Sequence, residues 1–504
     1  MASGDPLSDA VILWTRVTVE ANGDPRPAVI WEMSFEPTFE RIERQGTALA
    51  EIERDHTVKV DATGLAPGAT YFYRFRIGEI SSPIGRTKTA PLVATNLRFA
   101  VASCSSLAHG YFWAYAAIAE RADIDAVIHV GDYLYEYGED EYGDERPSYP
   151  THELRVLGDY RARYAQYRSD VDLQEMHRQH PMIATWDDHE VCDNAHRDMC
   201  GEHSADEGSY ADRKRAAFRA YSEWMPIRDG ADLAKVWRSL RYGNLAEIFM
   251  LDTRHWAKAA QAGDQDYATI FGPNRDLLGR DQEAWLYDGL QRSTSQWKLV
   301  CQQVMMAALP QYRNTDQWDG YPMARERFLD AIENVDDVVI VSGDIHASFA
   351  NDIARRPMEP GAYDAATGRG ASCVEIVTPS ITSPSPSEPD SGVQLERENP
   401  WMKWAQLTEH GYVLLDLTRD RAQAAFFYVE DVESRNGQAA EFRAALSTRA
   451  GTSCLLPDPA GPAVASSQVI PLAPGPVNPQ SASRRVLPET KPIIDVAKFG
   501  ERIR

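Results

Sequence analysis

The chain has 504 residues, 43% of them apolar and 25% charged, the balance of an ordinary folded protein rather than a disordered, collagen-like or disulfide-scaffolded one. Its 52 Lys and Arg residues stand against 75 Asp and Glu, a net charge of −23 that excludes a basic nucleic-acid-binding surface and suits hard cations. No apolar run approaches the ~18 residues of a membrane span, and six cysteines are too sparse for a disulfide framework. Cys192 and Cys200 are near enough in sequence to bridge, an open question at this level.

The first residues, Met1-Ala2-Ser3-Gly4-Asp5-Pro6, carry no charged-then-apolar leader, so the chain reads either as cytosolic or as the mature part of an exported protein. Over residues 1–92 the pattern predicts short strands at Ala10–Val17, Ala28–Phe35, Thr57–Val60 and Tyr71–Ile77, separated by turns such as Asn22-Gly23-Asp24-Pro25 and Ser81-Ser82-Pro83. Gly64-Leu65-Ala66-Pro67, running on to Tyr71-Phe72-Tyr73, resembles the corner of a fibronectin-type sandwich. A small all-β, immunoglobulin- or fibronectin-like domain over 1–92 is expected.

After residue 96 the grammar changes to apolar strands alternating with amphipathic helices, which indicates an α/β core with both sheet faces covered, expected over 96–450. The strands are Leu97–Ala102, Ala126–Val130, Met182–Trp186, Leu245–Leu251, Trp297–Met305, Val338–Val341 and Cys373–Val377. The helices are Tyr111–Arg121, Asp159–Arg178, Asp212–Glu223, Arg280–Arg292 and Met323–Asn334. Tyr412–Leu417 and Gln423–Val429 flank a turn and predict a hairpin. From residue 455 a Pro/Ala/Ser-rich extension runs to 504, expected to wrap or trail and to close in a short helix at Ile493–Arg504.

Five of the core strands end in chemistry. Ser103-Cys104-Ser105 follows the first, Gly131-Asp132-Tyr133-Leu134-Tyr135-Glu136 the second, and Asp187-Asp188-His189-Glu190 the third. Asp252-Thr253-Arg254-His255 and Ser342-Gly343-Asp344-Ile345-His346 follow two more. Ligands of open α/β sheets bind beyond the carboxyl ends of the strands, so these termini predict one shared metal or catalytic site. Phosphate-loop, nucleophile-elbow and zinc-helix signatures are absent from the sequence.

Gly-Asp-Tyr-x-Tyr-Glu, Trp-Asp-Asp-His-Glu-Val, Leu-Asp-Thr-Arg, Trp-Asp-Gly-Tyr and Ser-Gly-Asp-x-His, with the opening Ala2-Ser3-Gly4-Asp5-Pro6, together resemble the PhoD family of alkaline phosphatases and phosphodiesterases over about residues 1–450. The resemblance implies a four-layer metallophosphatase sandwich of mixed sheets flanked by helices. It implies ferric iron (Fe3+) at Cys104, Asp132, Tyr135 and His346, and calcium (Ca2+) at Asp188, Asn194 and Asp344, with Asp187 a further ligand and Asp132 bridging the two. Compared with the wider binuclear metallophosphatase pattern, Cys104, Asp188 and Asp344 stand where His or Asn is usual. Those changes argue against a di-zinc or di-manganese site and for one containing calcium.

Each residue has a structural alternative. Cys104 and Tyr135 suit a core, Asp187 suits a helix cap, and Asn194 suits a turn. Arg254 suits a salt bridge with Asp252 as well as bidentate recognition of phosphate. His189 is read as the leaving-group proton donor or as a residue steering Asp188. Glu136–Glu145 reads as a solvated acidic loop, and Trp318-Asp319-Gly320-Tyr321 as a wall of the substrate pocket. Three functions compete: a phosphomonoesterase, a phosphodiesterase or phospholipase-D-like enzyme, and a non-catalytic calcium-binding module. The resemblance and the acidic surplus imply a periplasmic or secreted protein whose leader has been removed; oligomeric state is not legible.

Overall fold

The computed structural model describes residues 1–19, 23–201, 203–310, 313–385, 391–464 and 469–475. Two large sheets lie face to face. In the first, three parallel strands, Asn96–Ala102, Ala126–His129 and Pro181–Ala184, form the centre. Antiparallel His410–Thr418, Arg421–Val429 and Ala440–Arg449 extend one side of it. The second sheet runs Arg238–Tyr242, Ala246–Met250, Trp297–Cys301, Val338–Ser342, Ala371–Val377, Ser348–Ala354, Met402–Gln406, with its central strands parallel.

The side-chain period of two assigns each strand's residues to layers. Phe99, Val101 and Ile128 face Ile248, Met250, Leu299 and Val341 between the sheets. Ala100, Ala102 and Val127 point the other way, onto Trp113–Ala119 and the helices that follow. Phe249, Val300 and Ile340 pack outward against Arg280–Arg292 and Pro322–Ala331. The order is therefore helix, sheet, sheet, helix, as expected for the four-layer sandwich.

The expected long helix over 159–178 is two, Leu157–Tyr167 and Val171–Gln179, because the Asp170 carboxylate accepts the N–H groups of Asp172 and Leu173 and starts a new helix. The strand from Trp297 stops at Cys301, where Gln303 turns its side chain to Thr253, Trp186 and Leu251. Ser348–Ala354 and Ala440–Arg449 are strands without a clear alternating signal in sequence.

The first ninety residues are all β, but they do not stand apart. Ala2–Gly4 runs parallel to Pro181–Ala184, and Ala10–Arg16 and Thr57–Thr63 continue the first large sheet. Ala28–Ser34, Arg44–Leu49, Thr70–Ile77 and Gly85–Lys88 belong to a separate small sheet closing a core of its own. Asp5, just past Ala2–Gly4, is fully buried and paired with Arg238 of the second sheet. The Pro-rich extension wraps as far as 475: Gln179 exchanges hydrogen bonds with the Ala473 backbone, and Arg98 and Arg178 donate to the carbonyls of Val464 and Pro474. The helix expected at 493–504 and Asn22 of the first turn lie outside the described residues. Among the described residues no helix is long and apolar enough to cross a membrane.

Gly4 is the tightest point of this seam. A Cβ there would lie 2.2 Å from the Pro226 carbonyl oxygen and 2.5 Å from that of Met182, both backbone atoms. Gly4→Ala is expected to lower the unfolding free energy by about 1–3 kcal/mol, as overpacking does. Chemical denaturation followed by circular dichroism measures it; an unchanged midpoint would mean that the close approach at Gly4 is dispensable.

Candidate metal centre

The five polar termini converge at one edge, and the backbone is bent to bring them there. Cys104, Asp132, Asn194, Asp344 and His346 all have positive φ, at 57°, 54°, 53°, 67° and 56°. Such left-handed residues cost about 1–3 kcal/mol each outside glycine and persist only where the surroundings impose them. Gly131 makes room: a Cβ there would meet Asp187 Cβ at 2.4 Å, so the second and third loops touch only because it is glycine.

Three overlapping groups of side chains have donor atoms within 4.8 Å of one another: Cys104 with Asp132 and His346, Asp132 with Asp188 and His189, and Asp187 with Asp188 and Asp344. Tyr135 completes the first group. Its hydroxyl lies 3.0 Å from Asp132 Oδ2 and 3.0 Å from His346 Nε2, with Ser383 Oγ at 2.7 Å. Burial lowers the His346 pKa to about 3, so the ring is neutral. Its Nδ1 faces the Pro384 carbonyl at 3.0 Å and must carry the proton, which leaves the Nε2 lone pair aimed at the group. Asn194 contributes differently from a plain ligand: its backbone N–H donates to Asp188 Oδ2 at 2.6 Å, and its side-chain amide donates to Asp193.

These groups fit cations. Asp132 Oδ1, Asp187 Oδ2 and Asp188 Oδ1 are buried with no hydrogen-bond partner among the described residues, an arrangement that protein interiors avoid. Burial, reinforced by Asp132, pushes the Cys104 thiol well up, and burial raises the carboxyls of Asp132, Asp187 and Asp344. Asp188 is held below the usual range against burial by Arg254, His189 and Lys258. Thiolate, phenolate and imidazole in one group and oxygens alone in another match a transition metal beside a hard cation.

Arg254 does not make the expected salt bridge with Asp252. Asp252 Oδ1 accepts its backbone N–H at 2.8 Å, not its guanidinium. The guanidinium is 1% exposed and spent on carboxylates: Asp187 at 2.5 Å, Asp188 at 3.6 Å, and Asp316 and Asp344 in close contact. Each of its three nitrogens meets a carboxylate, so it serves as the site's internal counter-charge, joined by Lys258 on Asp316. His189 sits at the rim, its Nδ1 2.8 Å from Glu136 Oε2 and its Nε2 3.8 Å from Asp193. Burial disfavours its cation, but Glu136, Asp188 and Asp132 raise its pKa well above the ordinary value.

Sequence reasoning missed several residues. Glu136 was part of a run read as solvated, yet it is buried and holds both His189 and the Asp193 N–H. Glu190 closed a motif without a role. It accepts the N–H groups of Tyr133 and Asp187 at 2.7 Å and of Asp132 at 3.2 Å, lashing the second and third loops together. Asp316 and Lys258 had no signal at all. Trp318 and Tyr321 are buried in the outer core, with hydrogen bonds to Gln302 and the Ala259 carbonyl, and so pack beneath the site instead of walling it. Cys192 and Cys200 form a disulfide.

Residues 99–426 match the family described as PhoD-like phosphatase, and residues 1–91 match its N-terminal domain. Alkaline phosphatase D of Bacillus subtilis (strain 168) is 41% identical over 381 residues, which are 70% of this chain and 65% of that protein, so the match spans just under two thirds of the relative. A solved structure of PhoD superposes with a TM-score of 0.82 at 35% identity, covering 90% of this chain and 91% of the other. The chain belongs to the PhoD-like phosphatase family.

Glu190 gives the sharpest test of how the centre is held. Glu190→Gln keeps the shape but turns an amide donor toward backbone donors, leaving at least one buried N–H unpaired. The unfolding free energy is expected to fall by about 1–3 kcal/mol, with weaker metal retention in equilibrium dialysis. Wild-type stability and metal content would show that Glu190 does not organise the loops.

Proposed function

We propose that this member of the PhoD-like phosphatase family is a metal-dependent phosphoric ester hydrolase of the alkaline phosphatase type. The observation that carries the reading is the set of three donor groups linked through Asp132 and Asp188, each of which has a buried carboxylate oxygen without a hydrogen bond among the described residues. Cys104, Asp132, Tyr135 and His346 would hold iron, and Asp188, Asn194 and Asp344, with Asp187, would hold calcium, Asp132 being shared. When bound, such ions neutralise phosphoryl oxygens and lower the pKa of a water. A calcium-binding module without activity needs neither a buried thiol nor a buried phenol.

The chain's own groups then have distinct tasks. Glu136 fixes the His189 ring and favours its protonated form, so Nε2 is placed at the rim as a donor to the departing ester oxygen. The alternative task, steering Asp188, uses the same placement. Arg254 keeps Asp187, Asp188 and Asp344 from repelling one another and orients their oxygens. Tyr135, itself held by Ser383, donates to Asp132 Oδ2 and leaves Oδ1 without a hydrogen bond. We further propose that the protein works outside the cytoplasm, a reading supported by the Cys192–Cys200 disulfide, which persists in oxidising compartments.

The primary test is hydrolysis of matched aryl phosphate monoester and diester substrates, with metals quantified. Exhaustive chelation should abolish turnover, and calcium should restore it better than magnesium, which demands tighter octahedral geometry. Full activity in a demonstrably stripped protein would refute the metal requirement.

Asp132→Asn should be the most damaging single change, since an amide carries no charge and offers one good oxygen. The loss in kcat/KM should exceed about a hundred-fold, the upper range for residues that merely support ligands, with metal content falling in parallel. If Asp132 only shaped its turn, Asn would be a near-equal substitute there, and near wild-type turnover and metal content would decide for that reading.

Cys104→Ser should retain the fold, lose iron and lose the visible absorption expected of a ferric thiolate–phenolate centre. An unchanged spectrum with unchanged iron would make Cys104 a packing residue.

A further inference from the structure

The loop from Tyr135 to Pro150 does more than deliver Tyr135 and Glu136. Its two ends are clamped by Arg163, which is 2% exposed and pairs with carbonyls instead of a carboxylate. Arg163 donates to the carbonyls of Tyr135, Tyr137 (2.8 Å), Tyr149 (3.0 Å) and Pro150 (3.0 Å). The body of the loop is fastened as well. Glu139 N–H donates to Thr151, Glu145 N–H donates to Ala108, and Arg146 pairs with Asp170. At Gly143, φ 85°, the backbone passes so close to Ala108 and His109 that a Cβ would meet them at about 3 Å. The loop is therefore a fixed wall of the site.

Two half-buried rings stand on that wall. Tyr142 stacks on Tyr135 at 5.3 Å and 20°, and Tyr137 lies 4.8 Å from Tyr142 and 5.5 Å from the His189 ring. An ester oxygen departing toward His189 carries its alcohol past these rings. Glu139, Asp140, Glu141 and Asp144, all exposed on the same loop, oppose an alcohol that bears negative charge.

We propose that Tyr137 and Tyr142 are specificity-determining residues that stack the leaving group and select phosphate esters of uncharged, flat aromatic alcohols over those of aliphatic ones. The proposal deepens the phosphatase reading above and rests on it. Because the rings sit on a pinned loop, the stacking surface exists before substrate arrives, and little ordering opposes its use.

The test is steady-state kcat/KM of the metal-loaded full chain on 4-nitrophenyl phosphate and on glycerol 2-phosphate. It is run for wild type, Tyr137→Leu, Tyr142→Leu and the two Phe variants, with metal content measured in each. Comparing each variant with wild type on the same ester cancels the intrinsic reactivity of the aryl ester. The aryl-to-alkyl ratio should fall about three- to ten-fold in each Leu variant, the range of an aromatic pair, while the Phe variants keep the wild-type ratio. Equal losses on both esters would mean that the rings only brace Tyr135 and His189, and an unchanged ratio would mean that the leaving group never meets them; either overturns the proposal. Should a Leu variant fail to fold, competitive inhibition of wild type decides: phenol should inhibit at lower concentration than glycerol, and equal inhibition overturns the stacking wall. Failure of metal-loaded wild type to cleave either ester would overturn the phosphatase reading itself, an outcome distinct from the others.

Discussion

Carboxylates cannot be gathered in a buried place without opposite charge, and the architecture of this site follows from that constraint. Asp132, Asp187, Asp188 and Asp316 are nearly or fully withdrawn from water, as are Glu136 and Glu190, and Asp344 is half-buried beside them. The protein offers Arg254 and Lys258 as permanent buried cations beside them. Arg254 reaches both the Asp187–Asp188 pair and Asp344, so one guanidinium spans loops from opposite sheets. It reaches neither Asp132 nor Cys104 in any recorded contact, and there the free carboxylate oxygen and the raised thiol remain. The chain thus offsets part of the charge of its site internally and leaves the rest to external cations.

The same logic explains the distorted backbone. A ligand set drawn from five loops has to converge within a few ångströms, and ordinary β or helical geometry does not turn sharply enough after a strand. Left-handed residues at the turns supply the bend, and the strain is held by contacts that do not themselves face substrate. Glu190 ties two loops through backbone N–H groups, Gln303 ties the ends of the strands at Trp186 and Thr253, and Ser383 bridges Tyr135 and Cys104. The all-β amino-terminal region takes part in this bracing. Its first strand, Ala2–Gly4, lies against Pro181–Ala184, the strand that ends in Asp187 and Asp188, and Asp5 pins Arg238 of the facing sheet.

Much of this was legible because strand ends are conspicuous. Apolar runs such as Ala126–Val130 and Val338–Val341 stop abruptly at Gly-Asp and Ser-Gly-Asp, and the break from hydrophobic to charged marks both the strand and its functional end. Boundaries failed where a side chain overrides the local pattern: Asp170 splits an amphipathic stretch by capping, which no periodicity reports. Ala440–Arg449 alternates weakly because its first residues are exposed or half-buried on both faces and its register against Arg421–Val429 shifts at a bulge. Glu136 was hidden for a different reason. In an acidic run each carboxylate resembles its neighbours, and only the fold reveals which one turns inward onto His189. Asp316 and Lys258 lie in segments without pattern and become meaningful only through Arg254, a long-range contact. Trp318 and Tyr321 misled because aromatic residues in a loop suit a pocket wall as well as a core, and burial alone separates the two.

The division of labour between rigid and open parts completes the picture. Cys104, Asp132 and Tyr135 are all but sealed from solvent, whereas Asp344, His346, Asp193 and Asn194 are half-buried. With Asp344 and Asn194 half-buried, a hard cation held there would exchange more readily than a metal held by the sealed Cys104 and Tyr135. The shared carboxylate of Asp132 would couple the two, so that losing the outer charge weakens the hold on the inner one. Rigidity is needed most at that junction, and there the second strand, Gly131, Glu190 and the Arg163-clamped loop all meet. Reach toward substrate is left to His189, whose ring is fixed on one nitrogen by Glu136 while the other faces the half-exposed Asp193.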